Sequence, residues 1–235
     1  MQDNEGGAHN FQATNGDISL KREPFRTDAG LELIIFLRYS GWVQRYREGA
    51  SVAMGLIMLY FVGALALAGI SWRTFGDVRS HGFMRFLAFE AIWAVLVLNL
   101  TAWFRDPLSW HQVIAWVLLA AAAVLAVWGF LELKRGGRPL SRPQRQGTFA
   151  FEETTQLVTT GPYRHIRHPL YTSLLLFVWG AAFKSFSFFG IVISLAASFF
   201  LYVTAYYEEL ENLERFGESY DRYMQQTKMF VPGLL

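Results

Sequence analysis

LVTTGPYRHIRHPLY, residues 157–171, is the stretch on which the reading of this chain turns. It sets Arg164, His165, Arg167 and His168 at the mouth of an apolar run that opens at Leu170. Charged residues at that depth are costly and usually face a partner or a cavity. A second polar feature, the pair Glu208–Glu209, closes the next apolar run. Together they predict one polar ligand site at a membrane surface.

Working outward, five runs are apolar enough to be membrane segments: 51–70, 86–104, 111–131, 170–183 and 186–206. About 20 helical residues cross a hydrocarbon core. The fourth run is short, which predicts tilt or partial burial against its neighbours. Lys184 and Ser185 leave only a tight connection between the last two runs, so a helical hairpin is expected there. Glu90 and Asn99 are polar at depth and read as interhelical hydrogen bonds. The expected fold class is all-α, a polytopic membrane helix bundle of about five transmembrane helices. It ends in the C-terminal helical hairpin and cytoplasmic C-terminal helices.

The rest of the chain fits around these runs. Residues 1–30 are polar without an apolar period and read as a disordered N-terminal tail, lacking the pattern of a secretory signal. Residues 31–50 mix apolar positions with Arg38, Arg45 and Arg47, the pattern of an amphipathic interfacial helix. Residues 51–131 hold three transmembrane helices. Residues 132–235 form the core with the loop, the hairpin and the C-terminal tail. The first half of the loop, KRGGRPLSRPQRQG, should be irregular, and a connection this long in a compact membrane domain is usually functional. In the tail, Gly217 should cap a helix, and a second short helix should carry Tyr220 and Tyr223.

Composition narrows the function classes. Of 235 residues, 53% are hydrophobic and the net charge is only +2. The mean hydropathy is +0.23. No basic cluster is interleaved with aromatics, so nucleic acid is not an expected partner; the lipid bilayer is. With no cysteine, disulfides, thiolate metal sites and a cysteine nucleophile are excluded. The five histidines, His9, His81, His111, His165 and His168, form no HxxxH or HExxH ligand pair, so no metal is expected.

Seven basic residues (Lys134, Arg135, Arg138, Arg142, Arg145, Arg164, Arg167) crowd the loop from Glu132 to Pro169, which predicts that it is cytoplasmic. Five spans then leave the C-terminus inside, in the cell (inner) membrane. Lys21, Arg22, Arg26, Arg38, Arg45 and Arg47 pull the N-terminal region the other way.

The signature has definite chemistry. Gly161–Pro162 makes a turn that lets the backbone approach a ligand. Pro169 suits the first turn of the fourth membrane helix, where its missing N–H costs nothing. His168 then falls at the N-cap, whose positive end attracts a carboxylate. Tyr163 and Tyr171 offer flat faces and hydroxyls, and Glu208–Glu209 offer acceptors for an ammonium group. Such a set could hold a zwitterionic, nucleoside-bearing molecule. Arg164 reads as a positive-inside anchor.

Gly161, Pro162, Tyr163, Arg167, His168, Pro169 and Tyr171, followed by Glu208–Glu209 and FGESYDRY, resemble the integral-membrane methyltransferases of the isoprenylcysteine carboxyl methyltransferase family. Phospholipid N-methyltransferases are similar in their RHPxY element and paired glutamates. The resemblance runs from Gln156 to Pro232. It implies a methyltransferase core with a donor-binding loop and S-adenosyl-L-methionine as cofactor. By position it implies donor-binding roles for Gln156, Leu157, Val158, Tyr163, His168, Pro169, Leu170, Tyr171 and Glu209, with Glu208 close behind Glu209 because the pair can be read in either order. Glu208, and beside it His165, are the candidate catalytic bases. The acceptor would be lipophilic or a small molecule reached at the membrane. A non-catalytic membrane scaffold or transport-associated protein on the same fold is the alternative.

The departures concern the acceptor. Prenylcysteine-methylating members carry an Arg about one turn before the paired glutamates, where this chain has Val203, Thr204, Ala205 and Tyr206. They also have His where Thr155 stands, and many have Gly where Ser173 stands. The expectation is a donor site like the family's and no efficient methylation of a prenylcysteine carboxylate.

Overall fold

The computed structural model describes residues 29–76, 80–138 and 154–233. Expectations for residues 1–28 and for the Arg- and Pro-rich stretch 139–153 lie outside the described residues. The chain divides into two compact units, Met1–Ala50 and Ser51–Leu235, and the site lies in the second. Six α-helices make up the described residues: α1 (Ala29–Ile70), α2 (His81–Asn99), α3 (Trp110–Gly136), α4 (Pro169–Ala182), α5 (Phe188–Phe216) and α6 (Glu218–Gln226). Among them there is no named strand, only an isolated parallel bridge between Ile166 and Lys228. The all-α reading holds.

Local sequence sets the helix limits. No proline interrupts residues 29–70, so α1 loses no backbone donor over its 42 residues; the segment expected as an interfacial helix is helical within it. Ser80 caps α2 by accepting from the Phe83 amide at 3.3 Å, and Ser187 caps α5 by accepting from the Gly190 amide at 3.0 Å. Lys134 and Arg135 occupy the last turn of α3, where cations favour the negative end of the helix dipole. Gly217 ends α5 with φ +55, a left-handed conformation open to glycine, and its amide bonds to the Leu213 carbonyl at 2.9 Å.

Among the described residues, four helices are long and apolar enough to cross a membrane, Phe36–Ile70, His81–Ala102, Trp110–Gly136 and Phe188–Phe216. α4 is shorter. Its 14 residues span about 21 Å, less than the ~30 Å hydrocarbon thickness. It is held by protein instead: Val178, Ala181 and Ala182 are buried in the core beside Ala88, Ile92 and Val95 of α2 and Ala197, Leu201 and Ala205 of α5. Small residues at these contacts let helices approach closely, the usual basis of helix packing in lipid. α5 packs chiefly on α2, and α4 chiefly on α3. Thus the two helices joined by Lys184–Ser185 touch each other less than they touch the preceding helices. Residues 51–70 of α1 meet α2 where Trp93 Nε1 donates to the Tyr60 carbonyl at 3.0 Å.

One expectation about polar residues at depth needs correction. Asn99 makes no interhelical hydrogen bond among those described; its Nδ2 donates to the Val95 carbonyl of its own helix at 2.9 Å. α2 ends there in a 3-10 turn, and a short amide at a helix end readily folds back onto the carbonyl four residues earlier. Lys184 is more than a linker. It is 1% exposed, its Nζ donates to Gln112 Oε1 at 3.0 Å, and it lies 3.2 Å from the Trp116 ring centroid. Gln112 Nε2 in turn donates to the carbonyls of Ala102 (2.9 Å) and Lys184 (3.0 Å). This network ties the α4–α5 connection to the start of α3.

Candidate functional site

The signature folds into a compact scaffold at the start of α4. Gly161 has φ +58, and a Cβ there would stand 3.0 Å from the Glu132 side chain and 3.1 Å from Trp128 Nε1. The positive φ favours glycine, and the space beside it is tight. Thr160 Oγ1 donates to Glu132 Oε1 at 2.5 Å, fastening this turn to the end of α3. Residues Gly161–Arg164 then form a 3-10 turn. Next the backbone pairs with the C-terminal tail: the Arg167 amide donates to the Lys228 carbonyl (2.8 Å) and the His168 amide to Met229 (3.2 Å). The Lys228 amide returns a bond to His165 at 3.3 Å. His168 is the N-cap of α4 and Pro169 its first residue, in the place where proline lacks only an N–H that would go unbonded.

One carboxylate organises the interior. Glu209, 5% exposed, accepts from Arg167 Nε at 2.5 Å, and His168 Nε2 lies 3.3 Å from the same oxygen. Arg167 Nη1 also donates to the carbonyls of Thr227 (2.5 Å) and Met224 (3.2 Å). Arg167 is therefore a clamp that joins α5, the signature and the end of α6. Charge-assisted bonds of this kind are about twice as strong as neutral ones. Tyr223 adds a second tie by donating to the Tyr163 carbonyl at 2.7 Å. Burial, reinforced by the Glu209 charge, pushes the Tyr220 and Tyr223 hydroxyls above their ordinary range. They stay neutral donors at physiological pH.

Around this network lies a cleft. Its interior cavity of about 80 Å3 opens into a space of about 640 Å3 that includes its mouth. Leu133 of α3, Thr154, Leu157, Val158, Tyr163, Arg167, His168, Pro169, Leu170 and Tyr171 line one side. Glu208, Asn212 and Phe216 of α5 line the other with Tyr220 and Tyr223 of α6. The His168 and Tyr171 rings stack at 5.6 Å, interplanar angle 27°.

Seven of the nine residues expected to hold a donor line this cleft: Leu157, Val158, Tyr163, His168, Pro169, Leu170 and Tyr171. Glu209 stands behind the lining, paired with Arg167 and His168. Gln156 is exposed, its amide bonded to the Gly137 carbonyl at 3.2 Å. Glu208 reaches the cleft; His165 and Arg164 are exposed and do not line it. Sequence reasoning missed Leu133, Thr154, Asn212 and Phe216, and the part of Tyr220 and Tyr223. The signal for the tyrosines was present: three residues apart, they share one face of the short helix after Gly217.

The class is thus a polytopic helical membrane protein with a polar, aromatic cleft closed by its C-terminal tail. Residues 110–219 match the phospholipid methyltransferase family model. That stretch runs from the start of α3 to the start of α6 and builds most of the cleft, and the match is consistent with an integral-membrane methyltransferase. No curated protein matches the chain.

Proposed function

We propose that the protein transfers a methyl group from S-adenosylmethionine to the amine of a membrane lipid headgroup. One observation carries this reading. The two glutamates divide: Glu209 is committed to Arg167 and His168, while Glu208 faces the cleft and is the one acid in its lining. A cleft whose basic clamp is neutralised from behind and whose open acid faces inward suits a cationic ligand. Tyr163, Tyr171 and His168 supply aromatic faces beside it, so the lining fits a heteroaromatic, positively charged donor. The enclosed part of the cleft is small, about 80 Å3, so a ligand of this size would lie largely in its open mouth.

When bound, S-adenosylmethionine supplies a methyl group already activated on sulfonium sulfur. The chain's task is then to align the acceptor and exclude water. The apolar residues Leu133, Val158, Leu170 and Phe216 in the lining serve the second purpose. Glu208 accepts a hydrogen bond from the acceptor ammonium and takes up one of its protons, which frees the nitrogen lone pair for the methyl group. His168 and Tyr163, fixed by Glu209 and Tyr223, hold the wall against which this occurs. The density of basic residues between Glu132 and Pro169 supports a cytoplasmic cleft, so the polar donor enters from water and the lipid from the bilayer.

Purified protein incubated with methyl-labelled S-adenosylmethionine and a total lipid extract should place label in an amine-bearing phospholipid. Label in a prenyl-type acid or a small thiol would assign another acceptor. No label, with no binding of the donor, would favour the non-catalytic scaffold.

A further inference from the structure

A second cavity lies beside the cleft, between the signature and α6, and holds about 370 Å3. Leu157 and Tyr223 line both, so the two share a wall. Every other residue of its lining is polar. Thr159 and Arg164 come from the signature, and Ser219, Arg222 and Gln226 come from α6. Spaced three and four residues apart, those three share one face of the helix. All five side chains belong to exposed residues, whereas Tyr220 and Tyr223 of the same helix are buried.

The charge of this groove has one sign. Arg164 and Arg222 line it, and among the described residues no carboxylate does. Glu218 stands four residues before Arg222, the spacing of a helical ion pair. Yet neither the Arg164 nor the Arg222 guanidinium has a hydrogen bond or ion pair among the described residues. Asp221, next in the chain, accepts instead from Gln225 Nε2 at 3.0 Å. The Thr159 and Ser219 hydroxyls are likewise without a partner among the described residues. Arg167 makes the contrast plain, since its donors are spent inside the fold on Glu209, Met224 and Thr227. A cavity lined by one sign of charge concentrates ions of the other sign. A guanidinium offers a planar fork of N–H donors that matches phosphate, and each hydroxyl adds a single donor.

We propose that this groove is an anion site in which Arg164 and Arg222 hold one phosphate group between them, with Thr159 and Ser219 donating to its remaining oxygens. A phospholipid headgroup at the membrane surface and free phosphate both offer that chemistry. A phosphate held there ties α6 to the signature, in addition to the bond from Tyr223 to the Tyr163 carbonyl. The site stands whether or not the neighbouring cleft transfers a methyl group.

The test uses the full chain in neutral detergent micelles at fixed salt and three probes: inorganic phosphate, a short-chain phosphatidylglycerol and a short-chain fatty acid anion. Binding is followed by calorimetry in wild type, Arg164→Gln, Arg222→Gln and Arg135→Gln, the last an exposed arginine outside the groove. Arg164→Gln and Arg222→Gln should each weaken the phosphate-bearing probe about tenfold, and Arg135→Gln should stay within twofold of wild type. Tighter binding of phosphatidylglycerol assigns the site to a lipid headgroup; equal or tighter binding of inorganic phosphate assigns it to the free ion. Both arginines are exposed, so the fold should tolerate their loss. Should either variant fail to fold, Ser219→Asp sets a carboxylate in the groove, in a first turn where acids are favourable, and should abolish binding. Binding of neither phosphate probe overturns the proposal, as does binding unchanged in Ser219→Asp. A loss in only one of the two arginine variants removes the bridge, and an equal loss in Arg135→Gln reduces it to diffuse attraction; either result overturns it. A fatty acid anion bound as tightly, with the same dependence on both arginines, overturns the assignment to phosphate.

Discussion

At the α4–α5 turn, Lys184 is buried against Trp116 and bonded to Gln112; at the opposite end of α4, Arg167 and His168 are buried against Glu209. Both ends of this short helix enclose charge, and both would look alike in a count of buried polar groups. They differ in what surrounds them. The Lys184 network is answered by side chains and carbonyls of the α2–α3 connection, α3 and the turn itself. The Glu209 network stands behind a cleft, with Glu208 one residue away turned into open space. A buried charge therefore marks function here only where its neighbours leave room for a ligand. Lys184 fastens helices, whereas the Glu209 cluster shapes a binding wall.

The largest effect that sharpens this contrast is expected at Glu209. Glu209→Ala leaves Arg167 buried without its anion, and breaking a buried pair in this way costs about 3–5 kcal/mol. Thermal unfolding in detergent should fall steeply and donor binding should be lost with it. A variant as stable as wild type would show that the clamp is dispensable. Next comes Lys184→Met. It leaves Gln112 Oε1 without its donor, at a cost of about 1–3 kcal/mol, so stability should drop while donor affinity per folded molecule stays within twofold. An equal loss of affinity would break the distinction between the two ends. Smallest is Gln156→Ala. Exposed and outside the lining, it should change donor affinity by less than twofold in equilibrium binding; a tenfold loss would mean that the cleft extends past Leu157.

The sequence carried most of the fold, because apolar runs near twenty residues have few other uses than to cross a membrane. It carried the cleft at the start of α4 as well, since turn, N-cap and helix start are local properties that Gly161, His168 and Pro169 announce by residue type. Long-range pairing was harder to read. Nothing local shows that Arg167 spends its donors on Glu209 and on the carbonyls of Met224 and Thr227, or that Lys184 reaches back to Gln112. The paired glutamates illustrate the limit. Adjacent residues on a helix point about 100° apart, so only packing of α5 against α4 and α6 decides which one is enclosed and which meets the ligand.

The measurement that bears most directly on this account is label transfer from methyl-labelled S-adenosylmethionine to phosphatidylethanolamine vesicles, normalised to folded protein, for wild type, Glu208→Gln and Lys184→Met side by side. Glu208→Gln keeps the shape of the cleft and removes its charge, so transfer should fall by about a hundredfold, equivalent to ~2.7 kcal/mol, while Lys184→Met transfers at close to the wild-type rate. Transfer by Glu208→Gln at the wild-type rate, or a fall no greater than that of Lys184→Met, would contradict the assignment of the chemistry to the cleft.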